Sequence, residues 1–342
     1  VRINSRKCSW KVNGYPDKDL ITEAQLELEI LMRYPREWNA MYVWDINLNF
    51  LGGRVSVLRA HQGFFQDLGR HWSSFSKPWN ILYFYPTQYN VKFVFAHCRW
   101  LFFVNERNIM DVRDDDKCNA RLLVKTPFLG IDVVTRETQF DQEVSDLDIN
   151  VQMSSAYFHL LFPSGHPLQS LLSAGYEDTA CMYIGKFDMR VENRWYYCYA
   201  PHARDCVTVD MQLDDLKVYF YGFVVRYLDS FSHNYFRSCL STITSDDYVN
   251  AGYRNNHTRN QWVHYYEQLA KSWSNAYETM MSLKLEQVQL FLPKYLYRYE
   301  TENLLDPSIK FHSLEMDTRM LSQYSDLFVK LSPVTLCVPL AE

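Results

Sequence analysis

The sequence predicts a mainly β protein in which long antiparallel strands curl into an elongated, open apolar groove, with a few short helices. Three observations carry this expectation. The 342 residues include 25 Tyr, 21 Phe and 9 Trp against only 11 Gly, and aromatic side chains favour strands. Apolar and polar residues alternate with period two in segment after segment, as on a sheet with one dry and one wet side. One such pattern contains a two-residue gap after which the apolar positions change parity, and it recurs at offsets of 58 and 60 residues. Recurrence of that kind marks a repeat architecture built by stacking one supersecondary unit.

Along the chain, QLELEILM sets Leu26, Leu28 and Ile30 against Glu27 and Glu29, and WDINLNF sets Trp44, Ile46, Leu48 and Phe50 against Asp45, Asn47 and Asn49. Gly52-Gly53 offers a turn into RVSVL. A short helix is expected around Gly63–Trp72. The first gapped strand is YNVKFVFAHCRWLFFVNERN, in which Val91, Phe93 and Phe95 precede Ala96-His97 and Cys98, Trp100, Phe102 and Val104 follow. Here the second face is also apolar, with Val94, Leu101 and Phe103. The second copy has Leu147, Ile149, Val151 and Met153 before Ser154-Ser155, and Ala156, Phe158, Leu160 and Phe162 after. The third has Val207, Val209, Met211 and Leu213 before Asp214-Asp215, and Leu216, Val218 and Phe220 after. A shorter copy places Leu283 and Leu285 before Glu286-Gln287, and Val288, Leu290 and Leu292 after; a fainter one places Ile309 and Phe311 before its gap and Leu314 and Met316 after.

None of the gaps is the Asn-Gly or Asp-Gly of a two-residue hairpin, so each reads as a bulge that bends one long strand. The faces opposite are polar, as in Asp148, Asn150 and Gln152 or Thr208, Asp210 and Gln212. Helical spacing appears in Val224, Leu228, Phe231 and Tyr235, and in the stripe Trp262, Tyr266, Leu269, Trp273, Ala276 and Met280. The expected organisation is one continuous section, 1–342, with approximate units 20–110, 120–165, 180–240 and 280–342 and a helical insertion near 260–281.

Ten or more strands with apolar faces and two or three helices leave the faces two solutions. Either they close on each other as a sandwich or barrel, or the sheet makes a trough filled by something else. Copies with the same face apolar extend a surface lengthwise, which favours the trough.

Composition and motifs narrow the function. A net charge of −5 with scattered Lys and Arg provides no basic stripe, so no nucleic-acid partner is expected. There is no signal segment and no run of apolar residues long enough for a spanning helix. The chain opens on Val1 and stops in mid-pattern at SPVTLCVPLAE, so it is expected to be a piece of something longer. Eight cysteines without CxxC pairs read as reduced thiols. Cys198, His202 and Cys206 lack a second ligand pair, and Asp114-Asp115-Asp116 reads as a solvated loop, so no metal and no cofactor are expected. The sequon at Asn256 reads as chance. His61, His97 and His159 are isolated, and no GxSxG, HExxH or glycine-rich phosphate loop occurs, so the chain is not expected to be an enzyme.

The stretches WDINLNFLGGRVSVLRA, HQGFFQDLGRHW, VKFVFAHCRWLFFVNERNIMD and LDDLKVYFYGFVVRYLDSFSHNYF together resemble the bridge-like lipid transfer protein family. The resemblance covers residues 38–295, and its most specific pieces are VNERNIMD and VRYLDSFSHNYF. It implies a long rod of repeating β-groove units, anchored in the endoplasmic reticulum through parts outside this section. Glycerophospholipids would be its cargo, passing along an apolar groove between membranes at contact sites with the plasma membrane or other organelles. The section would face the cytosol and join further segments of the same chain, with accessory proteins along the rod. The residues that would line the groove are Trp44, Ile46, Leu48, Phe50, Val91, Phe93, Phe95, Trp100, Phe102, Ile149, Val151, Met153, Phe158, Leu160, Val209, Met211, Leu213, Val218, Phe220, Leu285, Val288, Leu290 and Leu292. The physics agrees, since exposing acyl chains to water costs about 0.8 kcal/mol per CH₂ and a dry groove removes most of that cost. The alternative is a docking scaffold of β-repeats whose apolar faces pair off into a closed side-chain core.

Overall fold

The computed structural model describes residues 2–11, 19–57, 84–105, 118–140, 144–163, 166, 180–196, 204–220, 222–236, 276–292, 307–321 and 324–338. They form the expected fold class, a single long sheet with one described helix. Its strands are β1 (Arg2–Lys11), β2 (Asp19–Arg33), β3 (Tyr42–Leu51), β4 (Arg54–Val57), β5 (Thr87–Phe103), β6 (Arg121–Glu137), β7 (Val144–Leu161), β8 (Ala180–Tyr196), β9 (Arg204–Tyr219), β10 (Ala276–Phe291), β11 (Ser308–Leu321), β12 (Tyr324–Leu331) and β13 (Val334–Cys337). The helix α1 spans Gly222–Phe236 between β9 and β10. The main order is sequential, from β1 through β3 to β5 and on to β12, while β4 pairs with β2 and β5 and β13 pairs with β11.

Two joins depart from the all-antiparallel expectation. β5 runs parallel to β3 and β4, and β10 runs parallel to β9. Parallel neighbours need a crossover of a dozen or more residues, and the chain supplies one between Val57 and Thr87 and another, containing α1, between Tyr219 and Ala276. Between the two joins β5 to β9 form a plain five-strand meander. The 60-residue offset of Val151 and Met211 follows from it. β7 and β9 run the same way with β8 between them, and the registers Val151↔Met189 and Met189↔Met211 put all three on one face.

The strands run unbroken through their gaps, as expected, but the gaps are not bulges. A bulge sets two residues against one and shifts the register. Here Ala96 pairs with Phe128 and Cys98 with Thr126, so the register is the same on both sides. From β2 to β12 the breaks lie at the same level, so each break meets a break. Glu23, His97, Ser155, Asp215 and Gln287 have φ of 58°, 54°, 47°, 53° and 53°. One left-handed residue rotates the chain enough to reverse its pleat. Opposite or beside them stand Gly52-Gly53 between β3 and β4, Pro127, Gly185, His312, and Ser332-Pro333 between β12 and β13. A line of kinks thus crosses ten strands, and the short β4 and β13 continue β3 and β12 beyond it.

Neighbouring strands and local side chains together satisfy the backbone along this line, as buried polar groups require. Gly52 N donates to Ala96 O at 2.8 Å and Arg99 N to Gly53 O at 3.1 Å. Thr126 Oγ1 lies 2.8 Å from both Phe128 O and Ser154 O. His312 N and Ser313 N each donate to Ser332 Oγ at 2.9 Å.

The helix expected over Val224–Tyr235 is α1. The stripe ending in Ala276 and Met280 is corrected in part, because both residues lie in β10; Thr279 pairs with Val207 and Met320, and sheet pairing on both sides overrides the helical spacing. The rest of that stripe, the helix near Gly63–Trp72, Asp114 to Asp116, His61, Cys198, His202 and Asn256 lie outside the described residues.

Candidate apolar groove

The registers place the expected groove residues in continuous rows across the sheet. One row runs Leu28, Leu48, Phe93, Ile131, Val151, Met189, Met211, Leu283, Met316 and Val329 from β2 to β12. The row nearer the kinks runs Leu26, Phe50, Phe95, Leu129, Met153, Phe187, Leu213, Leu285, Leu314 and Leu331. On the other side of the first lies Ile30, Ile46, Val91, Val133, Ile149, Val191, Val209, Met281, Thr318 and Leu327. Thr318 interrupts an otherwise apolar surface three rows deep and ten strands long. Its interior is mostly half-exposed: Ile149, Val151, Met153, Val209, Met211 and Leu213 are neither buried nor fully exposed.

Beyond the kinks the same face is covered. Trp100, Phe102, Phe158, Leu160 and Val218 stand there with Leu122, Val124, Met182 and Ile184, and α1 lies across them. Val224, Tyr227 and Tyr235 of the helix are buried. Phe231 and Tyr235 meet the Phe102 ring edge-on at 5.4 and 5.6 Å, and Tyr227 meets Phe162 at 5.3 Å. The gap between Leu122, Leu160, Val224 and Leu228 is too narrow for a water molecule. Polar groups fasten the helix end. Phe103 N donates to Tyr235 Oη and Tyr235 Oη to Val57 O, both at 2.9 Å, while Asn234 donates to Asn105 O at 3.2 Å. Burial raises the Tyr235 hydroxyl pKa, so it is neutral. Phe220 and Leu292 sit just past their strand ends and are exposed, and Val288 is buried.

Towards the other end of the strands the apolar face grades into polar. The next row contains Met32, Trp44, Tyr89, Thr135, Leu147, Asn193, Val207, Thr279, Met320 and Ser325. Trp44 and Tyr89 rings lie 6.0 Å apart, and Tyr42 bridges Tyr34 and Tyr85 at 5.5 and 5.2 Å. Burial, and then the charge of Glu137, raise the Tyr89 pKa.

The opposite face carries charge ladders. Lys92 pairs with Asp132 at 3.5 Å, Arg136 with Asp148 at 3.6 Å, Arg194 with Asp146 at 2.9 Å and Lys330 with Glu315 at 3.0 Å. Exposed pairs of this kind are worth about 0–1 kcal/mol each. Their effect is to keep that face wet and to reinforce register through opposite charges. Among the described residues no group of three His, Cys, Asp or Glu side chains comes together. His159 is buried on the face away from the rows, and its pKa is lowered by burial and then by Lys125. Burial pushes the Cys98 and Cys181 thiols up to about 11, away from reactivity.

Sequence reading missed β6 and β8 although both repeat the signal, with Leu129, Ile131 and Val133 beyond Pro127 and Met182 and Ile184 before Gly185. No family model matches the chain. Bridge-like lipid transfer protein family member 1 of Homo sapiens is 27% identical over 150 residues, which is 44% of this chain and 3% of that protein. The Danio rerio protein of the same name is 25% identical over 163 residues, 45% of this chain and 3% of the relative. Protein CSF1 of Saccharomyces cerevisiae is 22% identical over 334 residues, 87% of this chain and 11% of the relative. The chain therefore spans only a small part of the length of the curated relatives it matches. By sequence, the chain is similar to one section of bridge-like lipid transfer protein family member 1 and to one section of CSF1.

Proposed function

We propose that this section conducts phospholipids along its apolar face between membranes at contact sites, with glycerophospholipid as cargo and no catalysis. The observation that carries the reading is the run of three rows over ten strands, apolar at every position but Thr318 and left half-exposed along its middle. A closed scaffold would bury these rows against a second layer. Acyl chains laid on them would remove both surfaces from water at about 25 cal/mol per Å². The name of the human and zebrafish relatives, bridge-like lipid transfer protein family member 1, supports lipid as the cargo. Anchoring in the endoplasmic reticulum and a cytosol-facing position at contact with the plasma membrane or other organelles belong to the same proposal. Contact with the membranes would be made through other segments.

Two measurements test it. Lipid extraction and mass spectrometry of the purified chain should return glycerophospholipid well above background. Replacing Val151 and Met211 by Asp should block transfer between vesicles or rescue in cells, because a charge against acyl chains costs on the order of 2.5–3.5 kcal/mol per residue. Asn150→Lys and Asp210→Lys, on the wet face, should leave transfer intact. Equal effects from both faces would reject the proposal.

A further inference from the structure

The apolar face has two halves that differ in what covers them, and this fixes where a lipid can lie. On the far side of the kink line, α1 is packed on the sheet through Val224, Tyr227, Phe231 and Tyr235, with a gap that admits no water. Tyr235 Oη ties the helix to two strands at once, receiving from Phe103 N and donating to Val57 O. On the near side the three apolar rows stay half-exposed over β6 to β11, with Phe50 and Phe95 buried at one end and Leu327, Val329 and Leu331 exposed at the other, and the row above them mixes Trp44 and Tyr89 with Thr135, Asn193 and Thr279. Aromatic rings with one polar atom settle where apolar matter meets water.

We infer that α1 is the floor of the lipid path, and that a phospholipid stands along the strands with acyl tails pointing at the kink line and its headgroup at the level of Trp44 and Tyr89. The inference rests on the lipid reading and adds depth and orientation to it. Its dimensions agree. Three rows two residues apart, at about 3.3 Å per residue, lie about 13 Å from first to last and make a dry band about 20 Å deep when half a spacing is added at each end. The hydrocarbon of one leaflet, half of an approximately 30 Å core, is about 15 Å deep. A pair of tails fits that band with no use of the surface beneath α1. Phe102, Phe158 and Leu160 then act as support for the floor rather than as path.

Photo-crosslinking of the whole chain decides the matter. The purified chain is loaded with phosphatidylcholine bearing a diazirine at one acyl terminus, irradiated, digested and mapped by mass spectrometry. Adducts are expected on Leu129, Met153, Phe187 and Leu213, and roughly tenfold fewer on Leu122, Leu160 and Val224, the ratio that about 1.4 kcal/mol of preference gives. A diazirine at the headgroup should instead mark Trp44, Tyr89 and Asn193. Acyl adducts of equal yield beneath α1, or headgroup adducts at Met153, would overturn the floor and orientation while leaving lipid conduction standing. Absence of adducts from both halves, or equal labelling of Asn150 and Asp210 on the wet face, would overturn both.

Discussion

The hydroxyl of Tyr235 does more than fill space. It satisfies a backbone donor on β5, where Phe103 is fully buried, and an acceptor on β4 at the half-buried Val57. Tyr235→Phe keeps the ring against Phe102 and removes only those bonds, leaving the buried Phe103 N–H unmet at about 1–3 kcal/mol. Urea denaturation should show that loss with an unchanged far-UV spectrum, and an unaltered midpoint would show that the hydroxyl contributes nothing. The two buried thiols give a pH dependence. Cys98 and Cys181 have pKa values raised from 9.0 to about 11 by burial, so the folded state holds their protons more tightly than the unfolded state. Their contribution is fully present below pH 9.0 and is lost as pH rises through about 11. Stability should therefore fall on alkaline titration, and Cys98→Ala with Cys181→Ala should flatten that fall. The helical spacing of Val224, Leu228, Phe231 and Tyr235 announced a packed helix face, but not the partners of one hydroxyl. Those partners stand 132 and 178 residues away, on strands that nothing local connects to the helix.

At the scale of the element, the parity switch in each strand was readable because a dry face cannot tolerate a reversed pleat. The kind of break was not readable, since a bulge and a left-handed residue leave the same gap in one strand. Only the neighbour's register separates them, and β6 hid its share of the pattern behind Pro127 and a second set of apolar residues such as Leu123 and Phe128. The kink line makes two sharp predictions. His97 is exposed with φ at 54°, so His97→Gly should be neutral or mildly stabilising, while His97→Val, β-branched in a left-handed site, should cost about 1–2 kcal/mol. Gly185 has an ordinary φ and needs to be glycine for a different reason. A Cβ there would sit 2.9 Å from Asp215 Cβ and 3.2 Å from Asp214 O. Gly185→Ala must push β8 from β9 at the kink, at about 1–3 kcal/mol by analogy with overpacked sites. Thermal unfolding of the three variants tests both statements, and His97→Val matching His97→Gly would remove the left-handed residue from the explanation.

Across the whole molecule, sequential strand order makes a sheet that grows by addition at its edge, and the edge at β12 is where its physics is most exposed. The apolar rows arrive there as Leu327, Val329 and Leu331, which are 67%, 53% and 50% exposed, and the other face of the same strand shows Phe328 at 56%. Among the described residues β12 pairs only with β11. A strand with apolar residues on both faces and a free row of N–H and C=O groups is a template for another strand. Lys330 and Asp326 are the only charges between Tyr324 and Leu331, too few to keep a second copy away. The isolated chain is therefore expected to self-associate through this edge, with an apparent mass that rises with concentration in sedimentation velocity. Val329→Lys places a charge in the middle of the edge, where pairing would bury it, and should restore a concentration-independent monomer without lowering the unfolding temperature. Association that persists in Val329→Lys would locate the contact elsewhere, and a monomeric parent at all concentrations would show that the edge is already protected.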